Sequence, residues 1–323
     1  MSTITPDPAA PAALERRGIR LGDVLFKGVA AVAAVGVAAI LALLTYKIFA
    51  LAWPAMQEFG LSFIWSQDWN PTTNAYGALV FIYGTIVTSF IALLLATPLS
   101  IAIALFLTEL APKRLTSPIA TMVELLAAIP SVVLGLWGIL VFGPWIAQHL
   151  EPWLQSWFGF LPIFSGEPSQ AGVLPAALVL TIMIIPITSA ICRELFSRVP
   201  RDLTDGSLAL GSTRWEAIRR VAIPYAAPGI SAAVLLGLGR AFGEAIAVTQ
   251  VIGSGNQINR SLFPPGDTLA SRIASTYQGA GSNIEVQSLL YLGAILLVIS
   301  LITNVSAQVI VNKFQKARRM STG

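Results

Sequence analysis

Six long runs of apolar residues constrain this 323-residue chain more than any other feature. A helix that crosses the hydrocarbon core of a bilayer needs about 20 predominantly apolar residues. Only 11% of the residues are charged, against about 25% in a typical soluble domain, and the runs lack the polar face of a soluble core helix. We therefore predict an all-α integral membrane protein with six transmembrane helices, near 24–52, 78–107, 118–142, 173–192, 226–252 and 286–311.

Lysine and arginine are distributed unevenly between the connections. They concentrate before the first run, between the second and third, between the fourth and fifth, and after the sixth. If the helices alternate in direction, these four segments share one side, and the other side retains Lys47, Arg260 and Arg272. The positive-inside rule then predicts that both termini are cytoplasmic. Residues 1–20, rich in Ala and Pro, are predicted to form a disordered cytoplasmic tail, which leaves 21–323 as the transmembrane domain.

The connections on the outer side have two kinds of composition. Those near 53–76 and 143–172 are rich in tryptophan, which favours the membrane–water interface, and Gly143-Pro144 is expected to end the third span. The connection 253–285 is rich in Gly, Ser and Asn and contains Pro264-Pro265-Gly266, a composition typical of turns. It is interpreted either as a recognition loop or as a solvated linker.

Apart from Lys27 and Lys47 near the ends of the first run, the apolar runs contain three charged residues: Glu124 in the third, and Arg240 and Glu244 in the fifth. A charge at the bilayer centre costs about 2.5–3.5 kcal/mol on insertion scales, so each should face protein or water. Counted from Pro228 at about 1.5 Å per residue, Arg240 lies about 18 Å into its span, near the middle of a core about 30 Å thick. Glu124 would either line the same pathway or lie near the cytoplasmic interface.

The spacing of Arg240 and Glu244 places both on one face of a continuous helix. Small residues surround them, since Gly237, Gly239 and Gly243 leave room for another helix. One interpretation is an internal ion pair that locks helices together. The other is a charged constriction on an anion pathway, because the planar donors of a guanidinium match the geometry of an oxyanion. The sequence alone leaves both open.

One hydrophilic segment, 202–224, separates the fourth and fifth spans on the predicted cytoplasmic side. Asp202 is a suitable N-cap for a short helix, and Gly211 would end that helix in the left-handed conformation. Thr213 and Glu216 then have the spacing of a capping box that starts a second helix. The segment is predicted to form a helix, a sharp turn and a helix, either as a docking site for a partner or as a basic hairpin held by anionic lipid.

The same segment resembles the signature of the permease subunits of binding-protein-dependent ABC importers. That signature is Glu-Ala-Ala, three residues, Gly, nine residues and Ile-x-Leu-Pro. Here Gly211 and Pro224 are in register, whereas Asp205-Gly206-Ser207 departs from the triplet. Further motifs are similar to those of the phosphate-specific permeases: Trp69-Asn70-Pro71, Gly77-Ala78-Leu79, Thr108-Glu109-Leu110, Ala128 to Gly138, and Gly237 to Glu244 followed by Ala247-Val248-Thr249.

The resemblance implies a type I ABC importer permease fold in the cytoplasmic (inner) membrane of a prokaryote. It also implies a complex with a second, PstA-type permease, two PstB-type ATPase subunits and an extracytoplasmic PstS-type phosphate-binding protein. The ATPase would dock on a coupling helix that includes Asp205, Gly206, Ser207, Gly211 and Pro224, and phosphate would pass Arg240 and Glu244. The chain itself is expected to be no enzyme and to bind no cofactor, with ATP and Mg²⁺ held by the ATPase.

The sequence lacks two kinds of site, which agrees with the expectation that the ATPase, and not this chain, holds ATP and Mg²⁺. The chain contains no Gly-Lys-Ser or Gly-Lys-Thr and hence no P-loop. With one histidine and one cysteine, His149 and Cys192, it is not expected to hold a transition metal. Three alternatives remain at this stage: a permease for another oxyanion such as molybdate or sulfate, a proton-coupled secondary anion transporter that uses Glu244 or Glu124, and a membrane scaffold that transports nothing.

Overall fold

Six helices are long and apolar enough to cross a membrane in the computed structural model, which describes residues 21–321. They cover Val24–Phe59, Leu79–Leu110, Ser131–Phe158, Val173–Ser197, Arg214–Gly243 and Asn283–Ser306. The predicted all-α architecture with six spans is thereby confirmed. The predicted disordered tail at 1–20 lies outside the described residues.

Within residues 21–321, the helical elements follow one another with two short strands between them. The order is α1 (Leu21–Phe59), α2 (Ser62–Trp65), β1 (Trp69–Asn70), β2 (Ala75–Tyr76), α3 (Leu79–Leu105), α4 (Lys113–Ala128), α5 (Ser131–Trp137), α6 (Gly143–Trp145), α7 (Glu151–Phe158), α8 (Val173–Ser197), α9 (Arg201–Ala209), α10 (Arg214–Ala217), α11 (Ile223–Gly243), α12 (Ile246–Ile252), α13 (Leu269–Thr276) and α14 (Asn283–Ser321). Turns of π-helix at Phe106–Leu110, Gly138–Phe142, Ile146–Leu150 and Ile218–Ala222 continue the longer helices.

The chain divides into two units, 1–47 and 48–323. In the first unit the described residues belong to α1, and apolar side chains such as Leu25 and Phe26 are exposed. Apolar side chains on a spanning helix can remain exposed in this way because lipid tails are as apolar as leucine.

The core of the second unit is built on close contact between α3, α8 and α11. Small side chains make this contact possible, since Ala92 and Ala96 of α3 and Ala176 of α8 are fully buried. On α11, a Cβ atom added at Gly237 would lie 2.9 Å from Ile184 Cγ2 of α8. Small residues are typical of helix interfaces in membranes, where close approach of the backbones replaces the hydrophobic effect as the driving force.

The third span differs from its predicted bounds of 118–142. The helix is interrupted at Ile129 and Pro130, because proline lacks an N–H group and keeps the residue before it extended; Ile129 has φ −68° and ψ 125°. It does not end at Gly143-Pro144 as expected, and helical structure continues to Phe158. Pro144 is accommodated because it lies in the first turn of α6, directly after a π-helical turn.

The connection between α12 and α14, residues 253–282, is packed and not a solvated linker. Within it Phe263 and Leu269 are fully buried, and Asp267 is 1% exposed. The Leu174 N–H group donates to the Leu262 carbonyl at 2.9 Å, and the Gly172 backbone lies directly against Phe263. The Gly- and Pro-rich composition therefore serves close backbone packing against the start of α8.

Candidate functional site: a helix break and a helix-turn-helix segment

The segment between α8 and α11 forms the predicted helix, turn and helix. Gly211 has φ +89°, its N–H group donates to the Leu208 carbonyl, and the Ser212 N–H group donates to the Ser207 carbonyl. These two bonds define a Schellman motif, which satisfies carbonyl groups at the end of α9. The Ser207 and Ser212 hydroxyl groups are 2.7 Å apart and close the turn.

The second helix of this segment begins with the capping box that the sequence predicts. The Thr213 hydroxyl group accepts the Glu216 N–H group at 3.3 Å, and the Glu216 carboxylate accepts the Thr213 N–H group at 2.9 Å. The prediction that Asp202 is the N-cap of the first helix is wrong. Pro200 is the N-cap and Asp202 lies in the first turn, where its charge is still favourable toward the helix dipole.

The tip of the segment presents polar and apolar groups together. Asp205, Gly206 and Gly211 are exposed, and so is Pro224 at the far end of the segment. Leu210 is 91% exposed and Trp215 63% exposed. Sequence analysis did not single out Leu210 and Trp215, although large apolar residues within a polar segment are a recognisable signal. An exposed apolar patch rimmed by polar groups is typical of a protein–protein contact.

The fifth predicted span, 226–252, is interrupted at one of the two predicted pathway residues, and the spanning helix of the structure covers Arg214–Gly243. The helix α11 ends at Gly243, and Glu244 is extended, with φ −75° and ψ 106°. Its carboxylate accepts the Ala247 N–H group at 3.3 Å and so satisfies a donor in the first turn of α12, whose N-cap is Ala245. Arg240 and Glu244 therefore do not share one face of a continuous helix, because the helix ends between them.

Arg240 is exposed near the end of α11. Among the described residues it makes no ion pair or hydrogen bond, so the internal pair with Glu244 that the sequence allowed does not form. A Cβ atom added at Gly239 or Gly243 would meet nothing within 4 Å. The surface around Arg240 is consequently open, with a free guanidinium and two glycines beside it. The role of this surface in anion passage remains a prediction.

The half-helix that follows the other break, at Ile129 and Pro130, packs against α12. The helix α5, which begins after Pro130, crosses α12 so closely that a Cβ atom added at Gly135 would lie 2.8 Å from the Ala247 Cα atom. One turn further on, a Cβ atom at Gly138 would lie 2.8 Å from Val251 Cγ2. The half-helices that follow the two breaks therefore pack against each other through glycine. Discontinuous helices of this kind are typical of membrane transport sites.

Glu124 lies on α4 and pairs with Arg193 of α8, with 2.5 Å between the carboxylate and guanidinium groups. Both groups are partly exposed, and they line an open cleft with a volume of about 640 Å³ that Thr108, Ser117 and Thr121 also line. Sequence analysis missed Arg193 as the partner, because nothing in the spacing of two distant helices indicates their contact. A place for Glu124 on the pathway remains a prediction.

A buried ion pair in the α12–α14 connection was also missed. Arg272 Nε lies 2.9 Å from Asp267 Oδ2, and the two side chains are 8% and 0% exposed. Burial raises the pKa of the Asp267 carboxyl above its usual range, and the neighbouring Arg272 guanidinium opposes that rise. The only sequence signal is the occurrence of both charges in a segment otherwise rich in Gly, Ser and Asn.

These features define a multi-pass membrane transport subunit with a broken helix in its core and an exposed segment suited to a protein partner. The chain belongs to the family described as the binding-protein-dependent transport system inner membrane component, whose sequence pattern matches residues 96–316. The resemblance seen in the sequence motifs is thereby confirmed.

Several relatives match nearly the whole chain, and each is named phosphate transport system permease protein PstC. The protein of Pasteurella multocida is 43% identical over 85% of this chain and 87% of its own length. That of Mesorhizobium japonicum is 43% identical over 88% of each chain. That of Xylella fastidiosa (strain Temecula1) is 40% identical over 98% of each chain.

Solved structures show the same fold. A chain of the bacterial alginate ABC transporter, in complex with an alginate pentasaccharide-bound periplasmic protein, aligns with a TM-score of 0.59 over 90% of this chain and 97% of its own. A chain of the inward-facing MetNI methionine ABC transporter aligns with a TM-score of 0.54 over 72% and 94%. Sequence identities are 17% and 18%, so the likeness concerns the fold, which is that of an ABC importer permease.

Proposed function

We propose that this chain is the membrane-spanning permease subunit of an ATP-driven importer of inorganic phosphate. The observation that carries the proposal is the identity of about two residues in five, over 85–98% of the chain, to permeases named for phosphate transport. The open surface around Arg240 supports it, because the guanidinium is unpaired within the described residues and its planar donors suit a phosphate group.

The helix break gives this guanidinium a suitable setting. A continuous spanning helix satisfies its own backbone groups, and an interruption exposes polar groups that must face water or protein. The Glu244 carboxylate accepts an N–H group in the first turn of α12 and does not neutralise Arg240. The negative charge of Glu244, four residues along the chain from Arg240, would weaken the attraction for an anion and would so allow release. Rigid-body rocking of the helices on either side of the break would expose such a site to each side in turn.

The proposal includes partners and an orientation. A PstA-type permease would complete the pathway, two PstB-type ATPases would bind ATP and Mg²⁺, and a PstS-type protein would deliver phosphate from outside. The exposed turn at Leu210 and Gly211 would dock one ATPase. The basic residues beside this turn favour its location in the cytoplasm, in the inner membrane of a prokaryote with both termini inside. This chain would need no cofactor of its own.

The test is phosphate uptake into vesicles that contain the whole reconstituted complex. We expect accumulation that requires ATP and both the binding protein and a competent ATPase, and that persists when a protonophore removes the proton gradient. Stronger competition by molybdate or sulfate than by phosphate would contradict the proposed substrate. Uptake that collapses with the proton gradient while ATP is intact would contradict the energy source. Absence of any uptake by the assembled complex would contradict transport itself.

A further inference from the structure

The buried pair of Asp267 and Arg272 has more contacts than an ion pair alone. The Arg272 guanidinium carbon lies 4.7 Å from the ring centroid of Phe81 and 5.8 Å from that of Trp69. The guanidinium also donates to the side-chain oxygen of Asn256. A buried charge is tolerated when it is paired and hydrogen-bonded, and leaving one partner alone is strongly destabilising. The pair therefore holds this part of the α12–α14 connection in one position.

On one side, residues of the ion pair and their neighbours attach the α12–α14 connection to α3. The Leu269 N–H group donates to the Thr85 hydroxyl group at 2.9 Å. The backbone of Asp267 itself lies so close to α3 that a Cβ atom added at Gly84 would be 1.9 Å from the Asp267 carbonyl oxygen. Phe81, which lies under the guanidinium, belongs to the same helix. Both members of the pair are thus anchored to the first part of α3.

On the other side, the same connection holds α12. The Gly266 N–H group, one residue before Asp267, donates to the Ile252 carbonyl at 3.0 Å. The Thr249 hydroxyl group of α12 lies 3.5 Å from the Ser271 carbonyl, one residue before Arg272. The helix α12 begins directly after the break at Glu244. Contacts therefore connect α3, through the ion pair, to α12. This is the half-helix that follows the proposed pathway residue Glu244.

We propose that Asp267 and Arg272 are positioning residues of the pathway: they clamp the α12–α14 connection between α3 and α12 and so hold the break at Glu244 in place. Neither residue touches the open surface around Arg240 in the contacts described, so they act through α12. The consequence for transport rests on the proposed function, whereas the clamp itself can be tested without it.

Cysteine substituted for a buried residue of α12 would report on the clamp. Val248 is 2% exposed, and Val248→Cys in a Cys192→Ala background supplies the single thiol of the chain. We expect N-ethylmaleimide to label this thiol at least about tenfold faster in the Arg272→Gln and Asp267→Asn variants, because loss of one partner of a buried pair favours local opening. Arg260→Gln is the matched control, since it removes an exposed charge from the same connection. It should leave the labelling rate unchanged.

The clamp would be overturned if variants that reach the membrane are labelled as slowly as the parent chain. It would also be overturned if Arg260→Gln raises the labelling rate equally. If a single variant does not accumulate, the double variant Asp267→Asn, Arg272→Gln tests the clamp instead, because it leaves no buried charge unpaired. That double variant should accumulate and label rapidly. Its failure to accumulate would assign the pair to folding and would also count against the proposal.

Phosphate uptake by the reconstituted complex supplies the second readout. Arg272→Gln should lower the maximal rate severalfold while the phosphate concentration at half-saturation stays the same, because the residue does not contact the substrate. Faster labelling with unchanged uptake would separate the clamp from transport and contradict the positioning role. If the parent complex takes up no phosphate although the labelling difference is present, the proposed function fails and the clamp stands.

Discussion

Replacement of Gly211 by alanine isolates the contribution of the turn between α9 and α10. Gly211 has φ +89°, and a Cβ atom added there would meet nothing within 4 Å. The substitution therefore introduces no clash and changes only the cost of the backbone conformation. A residue with a Cβ pays about 1–2 kcal/mol in the left-handed region. A free-energy difference of that size changes a population ratio by a factor of about 5–30.

The expected consequence is weaker binding of the ATPase. If the ATPase recognises the segment only with the turn intact, its apparent dissociation constant rises in proportion to the loss of the competent conformation. We expect an increase of up to about 30-fold in a titration of purified ATPase onto the solubilised pair of permeases. Membrane insertion should be unchanged, because Gly211 lies outside the six spanning helices.

Gly206, another residue of the predicted docking segment, separates the effect of an added methyl group from that of the turn. It lies within α9, its surroundings are also open, and its φ angle is not positive. Gly206→Ala adds the same methyl group and favours the helix by about 1 kcal/mol, so binding should not weaken through loss of the turn. Unchanged binding by Gly211→Ala would refute the reasoning. Equal weakening by both variants would assign the effect to the added surface methyl group instead of the turn.

Three further predictions concern other parts of the chain. Arg240→Gln should abolish phosphate uptake without loss of complex assembly, whereas Arg260→Gln, which removes an exposed charge elsewhere, should leave uptake intact; normal uptake by the first variant would remove Arg240 from the pathway. Gly84→Ala should prevent accumulation of folded protein in the membrane, because its Cβ atom would lie 1.9 Å from a backbone oxygen; Gly36→Ala, which meets nothing within 4 Å, should accumulate normally. Thr213→Ala should destabilise the start of α10 by about 1 kcal/mol, seen as faster amide exchange there, and exchange as slow as in the parent would contradict the capping box.

The features that the sequence predicted well depend on residues close together in the chain. A spanning helix is encoded by its own composition, and six were found. The turn at Gly211 and the capping box of Thr213 and Glu216 each require only residues three to five apart. The prediction of Asp202 as the N-cap was wrong even at this range, because the helix already begins at Arg201, directly after Pro200.

Features that depend on contacts between distant segments were not predictable in this way. The break at Glu244 carries no proline, and it lies in a run that is apolar on both sides. The half-helix that follows it packs against α5 at Gly135, more than a hundred residues earlier, and the local sequence gives no signal of that contact. The pairs of Glu124 with Arg193 and of Asp267 with Arg272 likewise become visible only once α4, α8 and the α12–α14 connection are placed.

The state of Arg240 follows from these long-range contacts and has a consequence for assembly. On the sequence alone, Glu244 was a candidate partner that would offset the cost of a charge at mid-membrane. In the structure that carboxylate accepts an N–H group of α12 instead, and the described residues supply Arg240 with no other partner. Arg240 lies near the end of the spanning helix Arg214–Gly243, and an unpaired charge within a bilayer costs free energy, rising to about 2.5–3.5 kcal/mol at the centre on insertion scales. The cost is avoided only if water, an anion or another protein chain faces the guanidinium, and the glycines beside it leave the space for one of these to do so.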